Sequence, residues 1–534
     1  MKMNRASLAE RAAWAKAGVT LPRFDLDAML RATKVAPVWV HFGAGNIFRG
    51  FIAVLAQRLL DMGLTDRGVI AAETFDGEII DRIYAPFDCL TMNVTLNADA
   101  TMRREIVASV AEGLRADAPE QLARLGDIFE APSLQLASFT ITEKGYALCG
   151  MDGQLLPLAL GDMQQGPQKA RHAMGVLCAL MLRRYMAGAH PIALLSMDNC
   201  SRNGDKLRAA VLRIAKAWQA NGFAPEGFVS YLEDEARVTF PLSMIDKITP
   251  RPDALVEAAL LSDGVKAMAP IVTARGTYIA PFVNAERPEY LVVEDRFPNG
   301  RPPLERAGVY MTDRETVNRT ERMKVTTCLN PLHTALAVYG CLLRYTRISE
   351  EMKDEQLRRL VMRLGYDEGL MVVTDPGILS PRAFIDEVVT ERLPNPFMPD
   401  DPRRIATDTS LKVGIRFGET IKSYAAQGRD LSELTAVSLA IAGWLRYLLG
   451  VGDDGEAIEL SSDPMKDELR EKLAGIRLGE PQRYAGQLRQ ILANETIFGS
   501  DLVALGMAGR IESMFLELIA GPGAVRATLK KHLG

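Results

Sequence analysis

One stretch near the amino terminus, PVWVHFGAGNIFRGF, narrows the possible folds more than any other. A short β-branched and aromatic run reads as a buried strand. Two glycines come at once after it, and an apolar-periodic run from Ile47 to Met62 then reads as a helix. Strand, tight turn and helix in that order open a parallel α/β unit, because a crossover helix must carry the chain back for the next parallel strand. Gly43 permits the turn, and Gly45 lets the backbone approach a pyrophosphate. The N–H groups of Asn46, Ile47 and Phe48 then open a helix whose dipole favours an anion. Phe48 stands where a third glycine is usual, so the motif alone also fits an ordinary tight turn.

The rest of the first half repeats this alternation. GVIAAETF, LTMNVTL, LQLASFTIT and HPIALLSM read as further strands, with helical patterns over Ala170 to Met186 and Asp205 to Gln219. The second strand ends near Glu73 and Asp76. An acid there holds ribose hydroxyls and repels a 2′-phosphate, which favours NAD over NADP; a solvated acid after a strand is the plain alternative for each. The Pro/Gly-rich passage RFPNGRPPLERAG looks like a seam, and beyond it the pattern turns helical. The expected architecture is a Rossmann-like doubly wound domain over residues 1–300, then a helical substrate-binding domain over 301–534.

Composition excludes several classes. A net charge of −4 gives no reason to expect nucleic acid or an anionic membrane as partner. Neither a signal peptide nor an apolar run of membrane-spanning length is visible. The six cysteines are scattered, as in reduced cytoplasmic proteins. With no HxxxH, HExxH or cysteine pair at ligand spacing, no metal is expected.

The segment TERMKVTTCLNPLH carries the chemistry. Oxidation of a secondary alcohol by hydride transfer needs a base, donors for the developing alkoxide, and groups that hold the remaining hydroxyls. Glu321, Lys324, Asn330 and His333 offer such a set within thirteen residues. A lysine serves as base when burial or a neighbouring cation lowers its pKa below the ordinary value of about 10.4. Asn330-Pro331 also makes an ordinary helix start. His41, His172, His190 and His532 have no comparable polar neighbours in sequence. SMDNCSRNGDKL places Asp198, Asn199 and Asn203 at the carboxyl end of a strand, where open parallel sheets bind ligands; Asn199 is the candidate oxyanion donor, or a helix cap.

Taken together, HFGAGNIFRGF, FTITEKGY, LLSMDNCSRNGD, FPLSMIDKITP, TERMKVTTCLNPLH and RRIATDTSLKVGIR resemble, in order, the polyol-specific long-chain dehydrogenase/reductase family. That family includes mannitol 2-dehydrogenases and the fructuronate and tagaturonate reductases. The resemblance implies an NAD(P)-dependent, metal-free reaction on a small sugar acid or polyol. It implies Lys324 as general base, with Asn199 and Asn330 stabilising the alkoxide. His333, Asp246, Arg404 and Lys412 would contact substrate, and Glu321 would relay the proton. Lys247 stands where arginine is more usual. The leading expectation is interconversion of a 2-keto sugar acid and its alcohol, of the D-fructuronate/D-mannonate type. A mannitol-type polyol dehydrogenase and a non-catalytic NAD sensor are the alternatives. In that family four residues usually separate the lysine from the asparagine, whereas VTTCL supplies five. One extra residue in a regular helix rotates every later side chain by about 100°. An irregular backbone between Lys324 and Asn330 is therefore expected, with the lysine still facing both asparagines.

Overall fold

The computed structural model describes residues 1–534. The chain forms two compact units, residues 1–97 with 101–318, and 98–100 with 319–534. No helix is long and apolar enough to cross a membrane.

The first unit is built on six parallel strands: β1 (Trp39–Phe42), β2 (Val69–Glu73), β3 (Val110–Arg115), β4 (Leu136–Phe139), β5 (Ile192–Ser196) and β6 (Val238–Thr239). Their order, β3-β2-β1-β4-β5-β6, is that of the doubly wound dinucleotide fold. Helices α1 (Ala53–Asp61), α2 (Pro119–Glu130), α3 (Ala173–Met186) and α4 (Asn203–Ala220) lie among the strands in sequence. The sheet is buried on both sides, and successive residues divide between two cores. Val40, Phe42, Ile70, Ala137, Phe139 and Leu194 enter one cluster, whereas Trp39, Val69, Ala71, Leu136, Ala193 and Leu195 enter the other.

Two expectations are corrected here. LTMNVTL is a strand, Thr91–Leu96, but it belongs to a separate mixed sheet with Met102–Val107 and Phe282–Glu286. Its place beside β2 is taken by β3. That edge strand carries Glu112, Gly113 and Arg115, half-buried at best, and so lacks the apolar run that marks an interior strand. The seam expected after residue 300 lies instead at 318/319. The Pro/Gly passage looks like a linker by composition, yet Leu304, Ala307 and Val309 sit in a core cluster of the first unit. Tyr310–Thr312 then pairs parallel with Tyr290–Glu294.

The second unit is helical. Its elements include the end of α5 (Arg314–Met323), a π-helical turn Lys324–Cys328, α6 (Asn330–Leu342), α7 (Pro402–Ile405), α8 (Thr435–Tyr447) and α9 (Ala508–Leu518). Helix α8 is buried all round and packs against α6 and α9, as its mostly apolar sequence requires.

Candidate active site

The glycine turn comes directly after β1, at the point where the strand order reverses. Gly43 has φ +102°, and a Cβ there would lie 2.2 Å from the carbonyl oxygen of Thr140 on the neighbouring chain segment. Only glycine fits. Beside Gly45, by contrast, no atom stands within 4 Å of a built Cβ, so the space a pyrophosphate needs is open. Phe48 at the third-glycine position stacks on His41, ring centroids 4.3 Å apart. The strand-to-helix contact that a glycine usually allows is thus made by two flat rings, within the π-helical turn Phe48–Ile52. His41 does have polar company, brought from across the sheet: Ser138 Oγ at 2.7 Å and Thr140 Oγ1 at 2.8 Å. Burial drives its pKa down to about 3, so the ring is neutral.

The turn is held from several sides. Glu73 Oε2 accepts from Ala44 N–H at 3.0 Å, and its Oε1 accepts from the N–H groups of Phe75 and Asp76. Tyr84 Oη donates to Ala44 O, and buried Arg49 donates to Asn46 Oδ1 and Ala280 O. Burial lowers the Arg49 pKa to about 10, partly offset by Tyr84. Asp76 does not face outward as expected for a ribose ligand. It is buried, and its Oδ2 accepts from the hydroxyls of Thr273 and Thr277. It ties that loop to the end of β2, which leaves Glu73 as the acid on the glycine turn. An open space beside Gly45, a helix start and an acid after β2 together fit a dinucleotide.

At the carboxyl end of β5, Asp198 accepts from the N–H groups of Ile141 and Thr142 and from Tyr146 Oη. Burial raises its pKa despite those bonds. Asn203 is fully buried; its amide donates to Asp198 O and Ser243 O, and its Oδ1 accepts from Ser243 N–H. Both residues are structural anchors, whereas Asn199 between them is exposed. Asp246 is buried at the end of the strand Ser243–Asp246, opposite Tyr290. The next residue, Lys247, turns away to Glu286 O at 2.6 Å and Glu289 Oε2 at 3.1 Å, with its ammonium over Phe51.

In the second unit the backbone expectation is met. Lys324–Cys328 form a π-helical turn in which Leu329 N–H reaches back five residues to Lys324 O at 3.1 Å. Leu329 leaves helical geometry at φ −130°, ψ −61°, and α6 restarts with Pro331 in its first turn. The fifth spacer residue is absorbed there. The Lys324 side chain is 3% exposed. Glu321, one turn earlier on α5, and Asn330 are half-buried.

His333 Nε2 stands 3.4 Å from Asp400 Oδ2, without hydrogen-bond alignment. Arg404 donates to the other oxygen of Asp400 at 2.5 Å. Burial would raise the Asp400 pKa, but His333 and Arg404 outweigh it and hold the carboxylate below its usual range. Lys412 donates to the carbonyls of Ile405 and Thr407. Burial, with Arg416 adding to it, lowers the Lys412 pKa. Arg416 escaped the sequence reading although it lies four residues beyond Lys412. It is half-buried, meets Thr334 Oγ1, and has its pKa lowered by desolvation to about 10. Asp400 was missed as well, because nothing local links it to a histidine 67 residues away.

A sequence model described as the mannitol dehydrogenase Rossmann domain matches residues 38–306, and one described as the mannitol dehydrogenase C-terminal domain matches 316–515. The chain is 49% identical to D-mannonate oxidoreductase of Thermotoga maritima, over 100% of this chain and 99% of that protein. The fold resembles a substrate-free D-sorbitol dehydrogenase with a TM-score of 0.80, at 24% identity over 96% of this chain and 98% of that one. It also resembles Pseudomonas fluorescens mannitol 2-dehydrogenase, solved with NAD and D-mannitol. There the TM-score is 0.69, at 25% identity over 99% of each chain.

Proposed function

Because the chain belongs to the mannitol dehydrogenase family, we propose that it interconverts a 2-keto sugar acid and its secondary alcohol, of the D-fructuronate/D-mannonate type, using NAD. The observation that carries this reading is the 49% identity, end to end, with a D-mannonate oxidoreductase. The cationic side chains of the second unit support it. Arg404, which pairs with Asp400, and Arg416 both act on Lys412, so a substrate carboxylate would meet positive charge there.

When bound, NAD would supply the hydride acceptor for the carbinol C–H. Gly43, Gly45 and the N–H groups of Asn46, Ile47 and Phe48 would hold its pyrophosphate. Glu73, fixed on the turn, disfavours a 2′-phosphate nearby. Lys324 takes the hydroxyl proton, and Glu321 relays it toward solvent. Asn199 and Asn330 donate hydrogen bonds to the developing alkoxide. His333, beside Asp400, and Asp246 hold substrate hydroxyls, while Arg404 and Lys412 receive the carboxylate. Six cysteines that form no disulfide suit a reducing cytoplasm.

A panel of sugar acids and polyols, monitored by NADH absorbance, tests the reading. The expected outcome is turnover of D-mannonate with NAD+, and of the 2-keto acid with NADH. Turnover of mannitol without any sugar acid would overturn it, and NADH binding without turnover of any panel member would favour a sensor.

A further inference from the structure

The first unit contains a polar cavity that the proposed reaction does not use. The π-helical turn and α1 present Gly50, Val54 and Arg58 at four-residue intervals along one face. The strand Thr91–Leu96 and the residue after it present Asn93, Thr95 and Asn97 at alternate positions. Both rows line one cavity of about 380 Å³, within the size range of small-molecule sites, roughly 300–1,000 Å³. A helix laid on a sheet ordinarily buries apolar rows from both. Here the strand's row is polar throughout.

Asn93 is 3% exposed, and its Nδ2 donates to Glu105 Oε1 at 3.0 Å. That bond fixes which way the amide points. The remaining Oδ1 has no partner and lies 3.6 Å from where a side chain at Gly50 would begin. Asn93 lines the cavity, and its buried carbonyl oxygen lacks the donor that such a group ordinarily has.

Charge narrows the ligand. Strand register sets Arg103 opposite Thr95 and Glu105 opposite Asn93. Arg58, Arg103, Lys247 and Arg287 line the cavity against only two carboxylates, Glu105 and Glu289. Glu289 is engaged by Arg58 and Lys247, and Glu105 meets Arg103 at 3.5 Å, so four cations share two carboxylates. The lining is therefore net positive, with Arg103 and Arg287 exposed at the rim.

We propose that this cavity is a second binding site, for a small hydroxylated organic anion. Its anionic group pairs with Arg103 and Arg287, and a hydroxyl donates to Asn93 Oδ1. Sugar acids and sugar phosphates share this chemistry. The assignment is independent of which reaction the enzyme performs.

Calorimetric titration of the full-length protein with D-gluconate, and separately with D-glucose 6-phosphate, tests it. At least one should bind. The exposed-site variants Arg103→Glu and Arg287→Gln should each weaken binding about tenfold or more, the loss of one charge-assisted hydrogen bond, while Lys412→Gln leaves it intact. Binding of gluconate alone assigns the site to carboxylates, and of the phosphate alone to phosphorylated sugars. The proposal fails if neither anion binds, if binding survives both arginine variants, or if it is lost in Lys412→Gln alone.

Discussion

Gly43 and Gly45 stand two residues apart and meet different demands. A methyl group at 43 runs into Thr140 O on a backbone already at positive φ, so Gly43→Ala should cost about 3 kcal/mol of stability. At 45 the same space is open, so Gly45→Asp should leave the melting temperature nearly unchanged while its carboxylate repels the pyrophosphate. NADH fluorescence titration and thermal melts on both variants check this; equal destabilisation of the two would refute the division. Lys324 calls for the converse experiment. Lys324→Ala should still bind NADH, because the glycine turn and Glu73 lie in the other unit. Turnover should fall about 10²–10⁴-fold, the usual contribution of a general base. Unchanged turnover would remove the lysine from the mechanism.

At the scale of elements, the π-helical turn Lys324–Cys328 absorbs a residue that a regular helix would have passed on as a rotation. The spacing set against the family pattern, together with Pro331, was enough to expect it. The packing of α6 holds a second feature that spacing does not reveal. Glu351 is fully buried, neither carboxylate oxygen has a partner, and a Cβ at Gly340 on α6 would lie 1.9 Å from its Oε1. Burial, with Asp354 adding to it, pushes this carboxyl well above the usual range. A raised pKa means the folded state binds the proton more tightly. The associated stability is complete below the unfolded value of about 4.3 and is lost as pH rises toward the folded value. Glu351→Gln removes that dependence. Relative to the variant, the wild-type melting temperature should therefore drop between pH 4 and pH 8; a constant difference would show that Glu351 is ionised in the fold.

At the scale of the molecule, the first unit has its own two-sided core and the whole glycine-turn apparatus. A fragment of residues 1–318 should therefore fold and bind NADH. It should show no turnover on any panel substrate, because Lys324, Asn330 and His333 lie beyond its end. Circular dichroism and NADH fluorescence decide this, and a fragment that turns over substrate would displace Lys324 as the base. Placing the boundary at 318 depended on packing. Leu304, Ala307 and Val309 enter a core although the prolines and glycines around them read as a linker.

The sequence by itself determined the fold class, the glycine turn, most helices and the residue types clustered around Lys324. These are local properties: hydrophobic period, glycine placement and the spacing of polar residues along a few turns. Tertiary structure alone decided which strand stands beside β2, since β3 carries Glu112 and Arg115 on opposite faces and shows neither an apolar run nor clean alternation. It alone committed Asp76 to two threonines nearly 200 residues away and gave His41 its serine and threonine partners. It also set Asp400 against His333. Such pairs form between segments remote in sequence, where no spacing rule reaches. The lysine that the sequence singled out is buried on an irregular turn for the same reason: spacing predicted the break, and only packing around that turn closed it in.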